Sequence, residues 1–150
     1  MRILVVEDDP DLSKALVRAL EKRGFSVTPC LDGIKAFQSA RQDVHDIIIL
    51  DLNIPGEDGL HLLQRLRASG LATPVLILTA RASIGDKIAG LNAGGDDYLL
   101  KPIRLQRLLS TMQKLAVQLP EAAMLSELGR ETLSAYAAAT AGVARFTETL

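Results

Sequence analysis

Five short apolar runs, each followed by a stretch of helical periodicity, recur along roughly the first 117 residues, and this alternation limits what the chain can fold into more than any other feature. Residues 3–6 form the first run and 47–50, Ile-Ile-Ile-Leu, the most apolar one. Runs without polar interruption fit strands covered on both faces. Residues 25–28, 74–78 and 98–100 complete the set. Between them lie helical stripes: Leu12, Leu16, Ala19 and Leu20; Ile34, Phe37 and Ala40; Leu60, Leu63 and Leu66; Ile84, Ile88 and Leu91; and Leu105, Leu108, Leu109, Met112 and Leu115. All five are expected to be core. Asp9 and Pro10 give the first helix its start, since the carboxylate can accept from free amides and proline loses nothing at the first helical position. Gly24, Gly70 and Gly94-Gly95 provide stops. Such alternation predicts a doubly wound α/β domain, because right-handed crossovers between parallel strands place helices on both faces of the sheet. The domain is expected to span residues 1–117, followed by an alanine-rich helical tail of unknown role over 118–150.

Composition removes several functional classes. The net charge of −1 offers no basic surface for nucleic acid or anionic membrane. No stretch approaches the ~18 apolar residues of a membrane span. The single cysteine, Cys30, cannot form an internal disulfide, and residues 1–10 lack the pattern of a signal peptide, so a cytoplasmic setting is expected. Cys30 reads as a small buried apolar residue. His45 and His61 lie away from the strand ends and read as surface or loop residues.

In a doubly wound sheet the functional crevice forms outside the carboxyl ends of the strands. Glu7 and Asp8 follow the first strand, Asp51 the third and Lys101 the fifth, while Thr79 follows the fourth. Crowded carboxylates repel unless a cation joins them, and an all-oxygen set suits a hard metal such as Mg2+. Three carboxylates, a divalent ion and the Lys101 ammonium give a pocket near neutrality, ready for an anion. Asp51 is the candidate nucleophile toward a phosphoryl group. Glu7 and Asp8 then hold the metal, and the Asn53 backbone carbonyl can add a ligand. Thr79 can donate a hydroxyl to phosphoryl oxygens, and Lys101 can pair with them as a compact charge.

The runs ILVVEDD, IIILDLNIPGEDG, VLILTA and GGDDYLLKP, in this order and spacing, resemble the receiver domain of bacterial response regulators, especially the branch that usually carries a winged-helix DNA-binding domain. The resemblance implies a flavodoxin-like sheet of order 2-1-3-4-5 and a two-component signalling role. It makes Asp51 the phosphoacceptor, served by a sensor histidine kinase or phosphotransfer protein with Mg2+, for which Mn2+ can substitute. It implies that the chain catalyses its own phosphorylation and dephosphorylation. It casts Thr79 and Lys101 as phosphate-sensing residues, Tyr98 as an aromatic switch and Pro102 as a cis proline. On phosphorylation Thr79 moves toward the phosphoryl group, Tyr98 turns inward, and the face made by the fourth helix, fifth strand and fifth helix changes shape. Homodimerisation through that face is the habit of the winged-helix branch. Lys87, Asp96 and Asp97 fit its charge pattern, but Arg107 stands where an acid is expected and Thr111 where a base is, so weakened pairing is expected.

A phosphatase with an aspartate nucleophile on a similar sheet is the rival enzyme class. It needs a second acid two residues on, and Asn53 cannot move protons. Residues 121–150 hold four acids and two bases, with Leu125, Leu128, Tyr136, Val143 and Phe146 at near-helical spacing. About 30 residues are too few for a winged helix, so no direct nucleic acid binding by this chain is expected. A stand-alone signalling module and the regulatory fragment of a transcription factor both remain open.

Overall fold

The structure, a computed structural model, describes residues 1–116. The expectations for the tail, residues 118–150, lie outside them. Ten elements alternate: β1 (Arg2–Val6), α1 (Pro10–Glu21), β2 (Ser26–Cys30), α2 (Gly33–Arg41), β3 (Ile47–Leu50), α3 (Gly59–Ala68), β4 (Val75–Thr79), α4 (Ile84–Asn92), β5 (Asp97–Leu100) and α5 (Leu105–Ala116). All strand pairs are parallel, in the order β2-β1-β3-β4-β5. The fold is therefore the doubly wound α/β sheet that the alternation implied.

Side chains of a strand point alternately to its two faces, so the continuous apolar runs serve two cores at once. Ile3, Val5, Ile47, Ile49, Leu76 and Leu78 pack with Leu16 and Leu20 of α1 and with Leu105, Leu108, Met112 and Leu115 of α5. Leu4, Val6, Ile48, Leu50, Val75 and Ile77 face the other way, against Ala36 and Ala40 of α2 and Leu62, Leu63 and Leu66 of α3. Each of the first four helices starts from a capping side chain: Asp9, Asp32, Asp58 or Ser83 accepts from one or two first-turn amides.

Two of the expected stripes depart from the core, the one on α2 at Ile34 alone. Ile34 is exposed on α2, and on α4 the relative exposures of Ile84 and Ile88 are 79% and 53%. The reason for α4 lies on its other side. Its buried residue is Gly90, where an added Cβ would sit 2.9 Å from Ile77 Cδ1 and 3.0 Å from the Tyr98 ring. The helix thus approaches the sheet along a glycine edge, which turns the isoleucines outward. β2 also starts one residue and ends two residues later than the apolar pattern suggested, with Cys30 paired in the ladder opposite Val6 and Phe25 outside it.

Two anchors fix α3, one at the amino ends of β4 and β5 and one at the carboxyl end of β3. Arg67 on α3 donates to the carbonyls of Gly94 (2.8 and 3.1 Å), Leu71 (3.0 Å) and Thr73 (2.7 Å). It also pairs with Asp96 at 3.0 Å, and the same carboxylate oxygen accepts from the Val75 amide at 2.7 Å. This ties α3 to the starts of β4 and β5. The second anchor is Gly59, the first residue of α3, whose hypothetical Cβ would lie 2.5 Å from Leu52 Cα and 2.9 Å from the carbonyls of Asp51 and Leu52. The obstruction is backbone, which cannot step aside as a side chain can. Gly59→Ala should therefore lower unfolding stability by about 2 kcal/mol or more, read as a reduced urea midpoint. A midpoint equal to wild type would mean that the loop after β3 yields easily.

Candidate functional site

The ladder carries acidic residues to one edge. The Glu7 amide donates to Cys30 O at 3.0 Å and the Asp51 amide to Val6 O at 2.9 Å, so the residues following β1 and β3 are held side by side. Oxygens of Glu7, Asp8 and Asp51 lie within 4.8 Å of one another. Glu7 and Asp51 are buried, at 2% and 5% exposure, whereas Asp8 faces solvent and leaves the cluster open on one side. Thr79 is the fully buried last residue of β4, and its carbonyl accepts from the Lys101 amide at 2.9 Å. The Lys101 side chain then reaches back over the sheet. Its Nζ donates to Asp51 Oδ2 at 2.9 Å and pairs with Glu7 Oε1. The Lys101-Pro102 peptide bond is cis.

These contacts divide the two buried acids. Burial pushes the Glu7 carboxyl up to about 7; the hydrogen bond from Lys101 opposes the rise and the Asp51 charge adds to it. Burial acts on Asp51 in the same direction, but there the hydrogen bonds from Lys101 and the Asn53 amide, the Lys101 charge and the Thr79 hydroxyl together hold the carboxyl below its ordinary value. The Asn53 amide is 3.1 Å from Asp51 Oδ1. Burial disfavours the Lys101 charge, yet bonds to Glu7 and Asp51 raise its pKa, so the ammonium is kept. Of the two buried acids, Asp51 is the one held ionised, as a candidate nucleophile would need to be.

The donor set fits a hard divalent cation. It consists of carboxylate oxygens, with Asp8 solvent-facing, and once all three carboxylates are ionised the single ammonium offsets only one of them.

Tyr98 is buried on β5 with its hydroxyl donating to Arg81 O at 2.8 Å, and burial raises its phenol pKa. The two histidines are elsewhere. His61 is on α3, bonded to Glu57 at 2.7 Å, and His45 precedes β3 at the opposite end of the sheet. Arg81 is the residue that sequence reasoning missed. Its Nε donates to Asn53 Oδ1 at 2.7 Å, and its Nη2 donates to Asp58 Oδ1 at 2.6 Å and Leu52 O at 3.3 Å. Its place two residues after a strand end was the only signal available in the sequence.

A family model described as the response regulator receiver domain matches residues 3–113. The transcriptional regulatory protein TctD of Salmonella typhimurium is 42% identical over 132 residues, covering 85% of this chain and 59% of that protein. The response regulator MprA of Mycobacterium avium is 44% identical over 115 residues, covering 77% and 50% respectively. The chain thus spans between half and three fifths of the length of these relatives. Among solved structures, the beryllofluoride-activated N-terminal receiver domain of Klebsiella pneumoniae RstA aligns with a TM-score of 0.75 at 30% identity, covering 79% of this chain and 100% of that one. The receiver domain of the Francisella response regulator 1452 aligns with a TM-score of 0.74 at 34% identity, covering 78% and 97%.

The raised Glu7 pKa has a defined sign for stability. A carboxyl that titrates higher folded than unfolded contributes stability in full below its ordinary value near 4.5, and loses it as pH climbs through about 7. Asp51 behaves oppositely, contributing above its ordinary value near 3.8 and losing that contribution only as pH falls through its folded pKa. With chelator present, the urea stability of wild type relative to Glu7→Gln should therefore fall by roughly 1–3 kcal/mol between pH 4.5 and 8. A difference that stays flat across this range would contradict the burial of an ionisable Glu7.

Proposed function

The chain belongs to the response regulator receiver domain family, and from that membership we propose that Asp51 accepts a phosphoryl group in two-component signal transduction. The observation that carries the assignment to this residue is the Lys101 ammonium set between Glu7 and Asp51 at the carboxyl edge of the sheet. It lowers the charge that an incoming phosphoryl group meets without removing the nucleophile's own charge.

A carboxylate oxygen of Asp51 attacks phosphorus as the bond to the donor's leaving group breaks, a histidine nitrogen in a sensor kinase or phosphotransfer protein, or an oxygen in a small phosphodonor. The new O–P bond makes Asp51 an acyl phosphate, and later attack by water returns the carboxylate with release of phosphate. Both reactions are the chain's own activity. Glu7, Asp8, Asp51 and the Asn53 carbonyl would hold Mg2+, or Mn2+ in its place; when bound, the ion supplies charge neutralisation between the two anions. Lys101 exchanges part of its pairing with Asp51 for the phosphoryl oxygens, and Thr79 supplies a hydroxyl donor. The donor's approach is open. A surface groove beside the site is lined by Asp9, Leu12, Ala15, Ala80, Lys101 and Pro102.

Tyr98 and Thr79 are the proposed switch, and the face they serve is unusual in its exposed apolar area. Ile84, Ile88 and Leu91 of α4 and Leu100 of edge strand β5 are solvent-facing. Lys87, Arg104 and Arg107 line the adjoining groove, so its charged rim is basic. Within the charge pattern expected for self-pairing, Asp96 is already engaged by Arg67 and the Val75 amide, and Thr111 is buried with its hydroxyl on the Arg107 carbonyl. Phosphorylation-driven homodimerisation through this face is therefore expected to be weak. No helix among the described residues is long and apolar enough to cross a membrane.

Incubation of the full chain with a small phosphodonor and Mg2+, followed by intact mass measurement, should give one labile phosphoryl adduct, absent in Asp51→Ala and prevented by chelation. An adduct that survives in Asp51→Ala would remove the assignment. Sedimentation with beryllofluoride and Mg2+ should leave the chain largely monomeric at micromolar concentration; a tight dimer abolished by Ile88→Asp on the exposed α4 face would contradict the expected weak pairing.

A further inference from the structure

The segment between β4 and α4 has little of its own to hold it in place. Ala80, Ala82 and Ser83 are exposed, and the Ser83 hydroxyl is turned onto its own helix, where it caps the Asp86 amide at 3.0 Å. Yet the backbone of this segment makes two contacts with switch residues. The Arg81 amide donates to the Thr79 hydroxyl oxygen at 3.4 Å, and the Arg81 carbonyl accepts the Tyr98 hydroxyl at 2.8 Å.

The Arg81 side chain provides the missing attachment. Its guanidinium crosses to the loop after β3 and meets three acceptors there: the Asn53 side chain, the Leu52 carbonyl and the Asp58 carboxylate. That loop is firmly seated at both ends. The Asp51 amide is in the sheet ladder, and Asp58 caps α3 through its second oxygen, 3.1 Å from the Leu60 amide, next to the glycine that α3 presses against the Leu52 backbone. The loose segment is thus referenced to the rigid one through one side chain.

We propose that Arg81 is a positioning residue that couples the phosphoacceptor loop to the seat of Tyr98. The guanidinium fork fixes the Arg81 carbonyl where the tyrosine hydroxyl meets it, so a shift of residues 52–58 is passed to the tyrosine through the Arg81 backbone. The proposal rests on Asp51 being the phosphoacceptor. A planar fork can hold several acceptors in fixed angular relation, which an ammonium cannot. The Arg81 and Asp58 side chains are 24% and 47% exposed, so the pair contributes little to global stability. Its effect should appear in coupling and leave folding nearly untouched.

The chain has two tyrosines, so a Tyr136→Phe background leaves Tyr98 as the single ring to observe. Ring-labelled tyrosine NMR on the full chain, with and without beryllofluoride and Mg2+, would be compared for Arg81→Ala, Arg81→Lys, Asp58→Asn and the Arg81→Ala/Asp58→Asn pair. Arg81→Ala should move the ring resonance of the unliganded protein toward the position of a solvent-averaged tyrosine and weaken beryllofluoride binding about fivefold or more, with the unfolding midpoint nearly unchanged. Asp58→Asn, which retains a helix-capping side chain, should give a smaller change of the same kind. The pair should be no worse than Arg81→Ala alone, and Arg81→Lys should restore little. Unchanged ring signals and mimic affinity in Arg81→Ala, full restoration by lysine, or additive losses in the pair would each overturn the proposal. If the background protein itself fails to bind beryllofluoride, the phosphoacceptor assignment falls, and the ring resonance of unliganded Arg81→Ala still decides the role of Arg81.

Discussion

A buried carboxylate without a partner is among the costlier things a fold can contain, and this sheet ends in two of them side by side. The pair persists because β5 delivers Lys101 across β4 to reach both Glu7 and Asp51. Neighbouring strands are about 5 Å apart, so the distance from β5 to β3 is roughly 10 Å, and only a long side chain crosses it. The residue it must pass, Thr79, is small. The order of strands, the length of lysine and the size of threonine are in this sense a single solution to one electrostatic problem. That solution also separates the two acids, leaving Asp51 ionised and Glu7 partly able to take a proton in the absence of a metal.

Around this centre the structure is rigid on one side and loose on the other. α3 is pinned by backbone contact at Gly59 and by the five donations of Arg67 to the segments entering β4 and β5. Glu57, on the same loop, is held by His61 and Arg65, and the Arg65 guanidinium stacks over Phe37 of α2 at 4.0 Å. α4 has no comparable anchor of its own: its inward residue is a glycine, and its apolar side chains face water. An element with little buried apolar contact sits at the low end of local stability, where opening and rearrangement cost least.

The sheet and the acidic edge were legible in the sequence because each leaves a local trace. Runs such as Ile47 to Leu50 can be covered strands and little else, and an acid or lysine directly after such a run has its position set by the strand before it. The direction of α4 was not legible. Ile84, Ile88 and Leu91 have helical spacing, and spacing alone cannot say whether a stripe faces the sheet or the solvent; the steric fit of Gly90 against Ile77 and the Tyr98 ring decides it, and that fit joins residues distant in the chain. Arg81 was hidden for a similar reason. A single arginine in a loop is ordinary, and its importance arises from acceptors 23 to 29 positions earlier, brought near only by the pairing of β3 with β4.

A ligand shifts a conformational equilibrium only through interactions that differ between the two states. A phosphoryl group on Asp51 would sit beside Thr79 and Lys101, whereas the isoleucines of α4 face solvent. Any effect on that helix must pass through what lies between, the segment that carries the Arg81 amide and carbonyl, and the Tyr98 ring packed against Gly90. This makes the exposed stripe of α4 more than surplus hydrophobic area. Among the described residues it is an apolar stripe little fixed by the core and adjacent to the tyrosine, so under the proposed switch a small displacement at the carboxylate edge would be read out there as a change in the apolar surface offered.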